Sequence, residues 1–279
     1  MDPVRNTGIK NIFNIDDKYY AYVGYVKDDC ALITIFEYPS GEKKIDFPCL
    51  PGELEKVDMN GSGGAFIRFN DKLLLTTGTP TSESRIIREL AQNNDSPYGK
   101  ILEIFFNKEN QIKYKIYSKG HRNPQGALSN YNNIFAVEHG PRGGDELNII
   151  FRDKNYGWPL YSLGSHYNLE KITKETFDEK DDFVSPVFSF VPSIGISGVE
   201  KCPKMYAEYY KPLKCAAISS MRAMSIYLML FDPSLKKIVN YEKLEFNSRI
   251  RKFEFDGDTL IAGTDFDGII IGKLNRITE

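Results

Sequence analysis

The sequence predicts an all-β protein made of many short strands. Three observations carry that expectation: runs rich in Ile, Val, Tyr, Phe and Leu recur from end to end, Asn/Asp/Gly/Pro clusters separate them, and only Ser84 to Gln92 spaces its apolar residues as a helix does. The runs, in order, are YYAYVGYV, ALITIFE, KLLLTT, KILEIFF, IKYKIY, NIFAVE, LNIIF, SIYLML, KIVNYEKLEF, IRKFEF, TLIAG and GIIIGKL. Between them FNDK, FNKENQ, SNYNN, FDPSLKK and FDGD supply tight reversals, so many neighbouring runs read as hairpins. The segment SRIIRELAQ is the one short helix expected. Frequent short strands mean a sandwich, a barrel or a propeller. A four-stranded blade takes roughly 40 to 50 residues, so a single domain over 1–279 has room for about six compact blades or five looser ones. The polar segments Ser118 to Gly126, Glu138 to Glu146 and Tyr161 to Ser185 are expected as loops, where binding chemistry usually sits.

Composition narrows the function classes. With 36 basic and 38 acidic residues mixed along the chain, no strong field draws in nucleic acid or an anionic membrane, and a small neutral partner fits better. Cys30, Cys49, Cys202 and Cys215 lack zinc or redox-motif spacing and are expected as single buried thiols. No apolar run approaches the roughly 20 residues of a membrane span, and MDPVRNTGIK has no signal-peptide pattern, so the chain as written is expected to stay in the cytoplasm.

Several polar constellations are candidates for chemistry. In EHGPRGGDELN, Gly140, Gly143 and Gly144 allow carbonyls to turn toward a cation, while Glu138, Asp145 and Glu146 offer the hard oxygens that calcium prefers. The competing role is a charged turn whose carboxylates cap backbone amides. In GHRNPQG, His121 suits a base or a ligand near neutral pH, and it equally suits a hydrogen-bonded turn. Trp158, in NYGWP, is expected to pack on a sheet edge or loop rather than on a ligand.

These segments also occur together and in order. GHRNPQG, EHGPRGGDELN, NYGWP and VPSIGISG resemble the landmarks of the soluble quinoprotein glucose and sorbosone dehydrogenases, the aldose sugar dehydrogenase branch above all. The likeness runs from about Asn60 to Leu274 and includes AQNNDSPYGKILEI, SSMRAMSIYLM, SRIRKFEFDGD and GTDFDG. The resemblance implies a six-bladed β-propeller that carries pyrroloquinoline quinone (PQQ) beside a calcium ion and oxidises a sugar at its anomeric carbon, passing electrons to an acceptor. It implies calcium held by the carbonyls of Gly140 and Pro141. It assigns Arg222, Arg249 and Arg251 to the quinone and its carboxylates, a duty that the guanidinium fork suits.

The pattern breaks at its catalytic base. Where the family reads N-H-x-G-G-R-L, this chain reads NGSGGAF, so Gly61 stands for the histidine and Ala65 for the arginine; Thr79 stands for the aspartate of a following Gly-Asp. Asp58 and His121 are the remaining candidates for general-base work. The family's signal sequence and front blade region are also missing from the pattern. The resemblance therefore implies a ring shortened at its N-terminal blade, with an exposed sheet edge on which a second copy could pair. Two functions follow: a PQQ-dependent sugar dehydrogenase lacking its usual base, or a non-catalytic propeller that binds or scaffolds.

Overall fold

Two-residue reversals join five pairs of consecutive strands. Asp16-Asp17, Asp28-Asp29 and Tyr131-Asn132 each place both residues at positive φ, the turn whose twist matches that of paired strands. The structure is a computed structural model describing residues 4–81, 84–165, 171–173 and 182–275. The first sheet contains β1 (Gly8–Ile15), β2 (Lys18–Lys27), β3 (Cys30–Tyr38) and β4 (Lys43–Asp46) in sequence order. The second repeats that meander with β5 (Gly63–Phe69), β6 (Lys72–Thr77), β7 (Lys100–Phe106) and β8 (Ile112–Lys119), and carries α1 (Arg85–Glu89) between β6 and β7. The third orders β9 (Pro124–Asn130), β10 (Asn133–Glu138) and β11 (Asp145–Ile150) before β14 (Phe188–Phe190), with the hairpin β12 (Tyr161–Ser165) and β13 (Lys171–Thr173) set in between.

The fourth sheet is β15 (Ile196–Lys201), β16 (Lys214–Ser220), β17 (Ser225–Phe231) and β18 (Ile238–Glu245), with α2 (Lys204–Tyr209) ahead of β16. The fifth has three strands, β19 (Ile250–Asp256), β20 (Thr259–Thr264) and β21 (Ile269–Lys273). The β21 edge shows Ile269 and Ile271, each 70% exposed.

The first strands of the sheets are neighbours in turn: β1 lies by β5, β5 by β9, β9 by β15 and β15 by β19. Sheets stacked about such an axis form a β-propeller. The core is the set of seams between sheets, and alternate residues of one strand serve opposite seams. Leu75 joins Tyr20, Ile33 and Ile35 of the first sheet, while the adjacent Leu74 joins Ile134 and Ala136 of the third. Likewise Met229 packs with Phe135 and Val137, and Leu230 with Phe253 and Leu260. Both faces of a middle strand are therefore buried, which is why these strands read as continuous apolar runs.

Four expectations need correction. Where the resemblance implies six blades, the described residues form five blade sheets, the looser count, because the second and third spend residues on α1 and on the β12–β13 hairpin, a two-stranded sheet of its own. A second helix, α2, exists besides the one expected at Ser84 to Gln92. Part of Tyr161 to Ser185 is strand, although 166–170 and 174–181 lie outside the described residues. The four cysteines form two disulfides, Cys30–Cys49 and Cys202–Cys215, with Cα atoms 5.3 and 5.8 Å apart. Antiparallel packing brings these pairs together across 19 and 13 residues, distances at which no sequence motif marks them.

Candidate functional site

The polar motifs gather at one end of the inner strands. Gly120, at φ 79°, leads from β8 toward β9, and a Cβ there would stand 2.2 Å from Asn155 Oδ1, so only glycine fits. Next to it His121 is fully buried. Its Nδ1 lies 3.0 Å from Glu138 Oε1, its Nε2 lies 2.9 Å from Ser118 Oγ, and its ring stacks on Tyr156 at 4.7 Å. Both ring nitrogens are thus engaged inside the protein.

Glu138 is the hub of this corner. Besides His121 it accepts the Arg122 backbone N–H at 2.7 Å and the Asn148 amide at 3.1 Å. The Arg122 guanidinium donates to the His139 carbonyl at 3.1 Å and lies 5.4 Å from the Trp158 ring. Trp158 is buried and donates from Nε1 to Thr79 Oγ1 at 3.1 Å.

The loop from Glu138 to Gly144 is set by Asp145, which accepts from Gly140 N (3.1 Å), Ser193 Oγ (2.8 Å), Gly195 N (2.8 Å) and Ile196 N (3.0 Å). All of its capacity is spent on holding this loop to the VPSIGISG segment. Gly140 has to be glycine, because a Cβ would meet the carbonyl oxygens of Gly143 and Gly144 at 2.1 and 2.4 Å. The loop thereby crowds backbone oxygens around one point. Glu146 shares the Asn148 amide with Glu138, and burial together with the Glu138 charge pushes its carboxyl up to about 8. Burial drives His139 the other way, to about 4, so its imidazole is neutral near pH 7. Among the described residues no group of three His, Cys, Asp or Glu side chains converges on a metal position. A cation here would rest mainly on carbonyls.

Beside this corner an axial cleft of about 300 Å³ is bounded by the first strand of every sheet, through Asn11, Gly64, Gln125, Ser197 and Arg251. His139 Nε2, 3.3 Å from Gln125 Oε1, links the loop to the cleft. Of the expected cations, Arg251 lines the cleft. Arg249 and Arg251 share the carboxylate of Asp265, Arg249 at 2.7 Å, and the two hold that carboxyl below its usual range. Arg222 lies exposed just after β16.

The two candidate bases are not brought together. Asp58 caps the turn Met59–Gly61, accepting from Asn60 N at 3.0 Å and from Asn6 Nδ2 at 2.9 Å, and it does not line the cleft. Gly61, at the position where the resemblance expects histidine, has no room to spare: a Cβ would lie 2.9 Å from the Thr79 carbonyl oxygen. Site residues that the sequence did not single out are Lys10, Asn60, Arg122, Gln125 and His139. For the last three the only signal was membership of GHRNPQG and EHGP.

The fold is thus a β-propeller whose first strands enclose a basic, amide-lined cleft beside a glycine-rich loop. The family model described as Glucose / Sorbosone dehydrogenase matches residues 41–271, and the chain belongs to that family. It is 31% identical over 198 residues to aldose sugar dehydrogenase YliI of Escherichia coli, covering 66% of this chain and 50% of that protein. The chain spans half or less of the length of the curated relatives it matches. Among solved structures, the apo soluble aldose sugar dehydrogenase of E. coli has a TM-score of 0.75 at 23% identity, over 96% of this chain and 82% of that one. The PQQ-bound aldose sugar dehydrogenase of Streptomyces coelicolor has a TM-score of 0.59 at 22% identity, over 93% and 75%. These likenesses show the propeller fold.

Proposed function

We propose that the chain binds PQQ in the axial cleft and oxidises an aldose at its anomeric carbon, slowly for want of the usual base. The observation that carries this reading is the cleft itself: Arg251 and Lys252 line it from β19, no Asp or Glu among the described residues does, and it lies beside the Gly140 loop. That donor set fits a planar ligand bearing carboxylates. The carbonyls crowded around Gly140, with Pro141 next in the chain, fit a hard cation such as calcium. When bound, the quinone supplies the two-electron acceptor and calcium a Lewis acid.

The chain's own residues would do the rest. Arg251, steadied by Asp265, and Lys252 would hold negative charge in the cleft, with Arg249 and Arg222 as supporting cations. The amides of Asn11, Asn60 and Gln125 would orient sugar hydroxyls. Among the described residues neither carboxylate nor imidazole lines the cleft, so the proton on the reacting hydroxyl would have no acceptor there. General-base catalysis is typically worth about 10²- to 10⁴-fold, so turnover would be low rather than absent. Asp58 or His121 could serve only after leaving its present hydrogen bonds.

The second reading, a non-catalytic binding propeller, is supported by Gly61 and by the crowding that keeps a side chain from that position. A second copy pairing along the open β21 edge would suit either reading. The deciding experiment titrates apoprotein with PQQ in calcium buffer by absorbance, then adds aldoses with a redox dye. Saturable binding with sugar-dependent bleaching supports the dehydrogenase, binding without bleaching supports the second reading, and no binding ends the PQQ proposal.

A further inference from the structure

Lys10 stands apart from the cations on β19. It lies on β1, where the pairing with β2 passes from Ile9↔Val23 to Asn11↔Tyr22 and leaves Lys10 unpaired in a bulge. Bulges of this kind re-aim a side chain, and here the lysine becomes part of the cleft wall, beside Asn11 and Asn60. Its ammonium donates to the Asn6 carbonyl. The carboxylate whose charge acts on it is Asp58, whose Oδ1 already accepts from Asn60 N and Asn6 Nδ2. Arg251 and Lys252 enter from the fifth sheet, Arg251 held by Asp265 and Lys252 donating to the Gln125 carbonyl at 3.2 Å. The cleft therefore has one cationic wall on β19 and a second, separate cation on β1, with amides near both.

We infer that Lys10 recognises an anionic group on the sugar itself, so that the substrate class is an aldose bearing a carboxylate or phosphate away from its anomeric carbon. This rests on the dehydrogenase reading for the word substrate, but the binding preference holds without it. A cation in this wall favours a charged sugar over a neutral one of the same shape, and with partial solvent screening the preference is about fivefold.

The test is calorimetric titration of glucuronate, glucose 6-phosphate and glucose into apoprotein and into protein first exposed to PQQ, for the wild type, Lys10→Met and Lys10→Arg. The expected result is about fivefold tighter binding of at least one anionic sugar than of glucose, abolished in Lys10→Met and retained in Lys10→Arg. The two anions separate carboxylate from phosphate as the recognised group. Equal affinity of all three sugars for the wild type overturns the inference, as does a preference that survives in Lys10→Met. So does a Lys10→Met variant that loses PQQ affinity while keeping its sugar preference, because Lys10 would then serve the quinone. If the wild type fails to take up PQQ yet prefers the anionic sugar, the dehydrogenase reading falls and the role of Lys10 stands.

Discussion

The carbonyl oxygen of Gly61 lies 1.9 Å from the point where a Cβ on Gly78 would sit. The two glycines thus bring the Asp58–Ser62 turn against the end of β6, with Gly78 N donating to Ser62 O at 2.9 Å. The position that the resemblance reserves for a catalytic histidine is therefore part of a tight backbone crossing. Gly78→Ala should cost more than about 3 kcal/mol, read from urea unfolding, since backbone must move on both sides. Gly61→His should lower the melting temperature and, in protein that holds PQQ, raise dye-linked sugar oxidation. No gain in quinone-loaded protein would show that more than the base is missing.

His121 and Asp58 separate by what they leave behind. Removing the buried imidazole in His121→Asn strands Glu138 and Ser118, so stability should fall by about 2 to 4 kcal/mol. Asp58→Asn alters an exposed cap and should cost less than about 1 kcal/mol. Comparable losses in the two unfolding curves would contradict this account of the site.

Two groups in the Glu138 loop pull the pH profile in opposite directions. The Glu146 carboxyl is raised to about 8 in the folded state, so folding gains from its protonation below the usual 4.5 and loses that gain as pH climbs from 4.5 to 8. His139 is lowered to about 4, so stability is lost as pH falls from 6.5 toward 4. Glu146→Gln should remove the alkaline loss and leave the acid one, visible as a melting temperature that rises with pH up to about 6.5 and then stays level. A variant that still destabilises between pH 6.5 and 8 would rule out Glu146 as the source.

Both disulfides close loops long enough to matter. In the chain-entropy treatment each is worth about 3 kcal/mol, so reduction or a Cys-to-Ser pair at 30 and 49 should shift the unfolding midpoint accordingly. Native protein should show no titratable thiol, and maturation in an oxidising compartment would follow. Free thiols in the native protein would restore the simpler reading of four buried cysteines.

The strands easiest to read were those in the middle of sheets. YYAYVGYV, ALITIFE, NIFAVE and SIYLML coincide with β2, β3, β10 and β17, whose two buried faces keep them apolar throughout. The first strands β1, β5, β9 and β15 went unread as strands. They pass closest to one another around the axis, and a Cβ on Gly126 would stand 2.8 Å from Gly198 Cα. In β9 (PQGALSN) and β15 (ISGVEK) glycine and small polar residues are what that crowding allows, and they carry little strand propensity. The site lies on these strands, so its motifs looked like loops.

The sequence by itself determined the all-β class, the turn positions and the motifs that mark the family, because local propensity and short spacing are properties of neighbours along the chain. Only the tertiary structure decided that the described residues form five blade sheets, that the cysteines pair, that His121 is locked between Ser118 and Glu138, and that Lys10 meets Arg251 across one cleft. Each of these depends on residues far apart in sequence being brought within a few ångströms, and burial seals that arrangement only once all the sheets have packed.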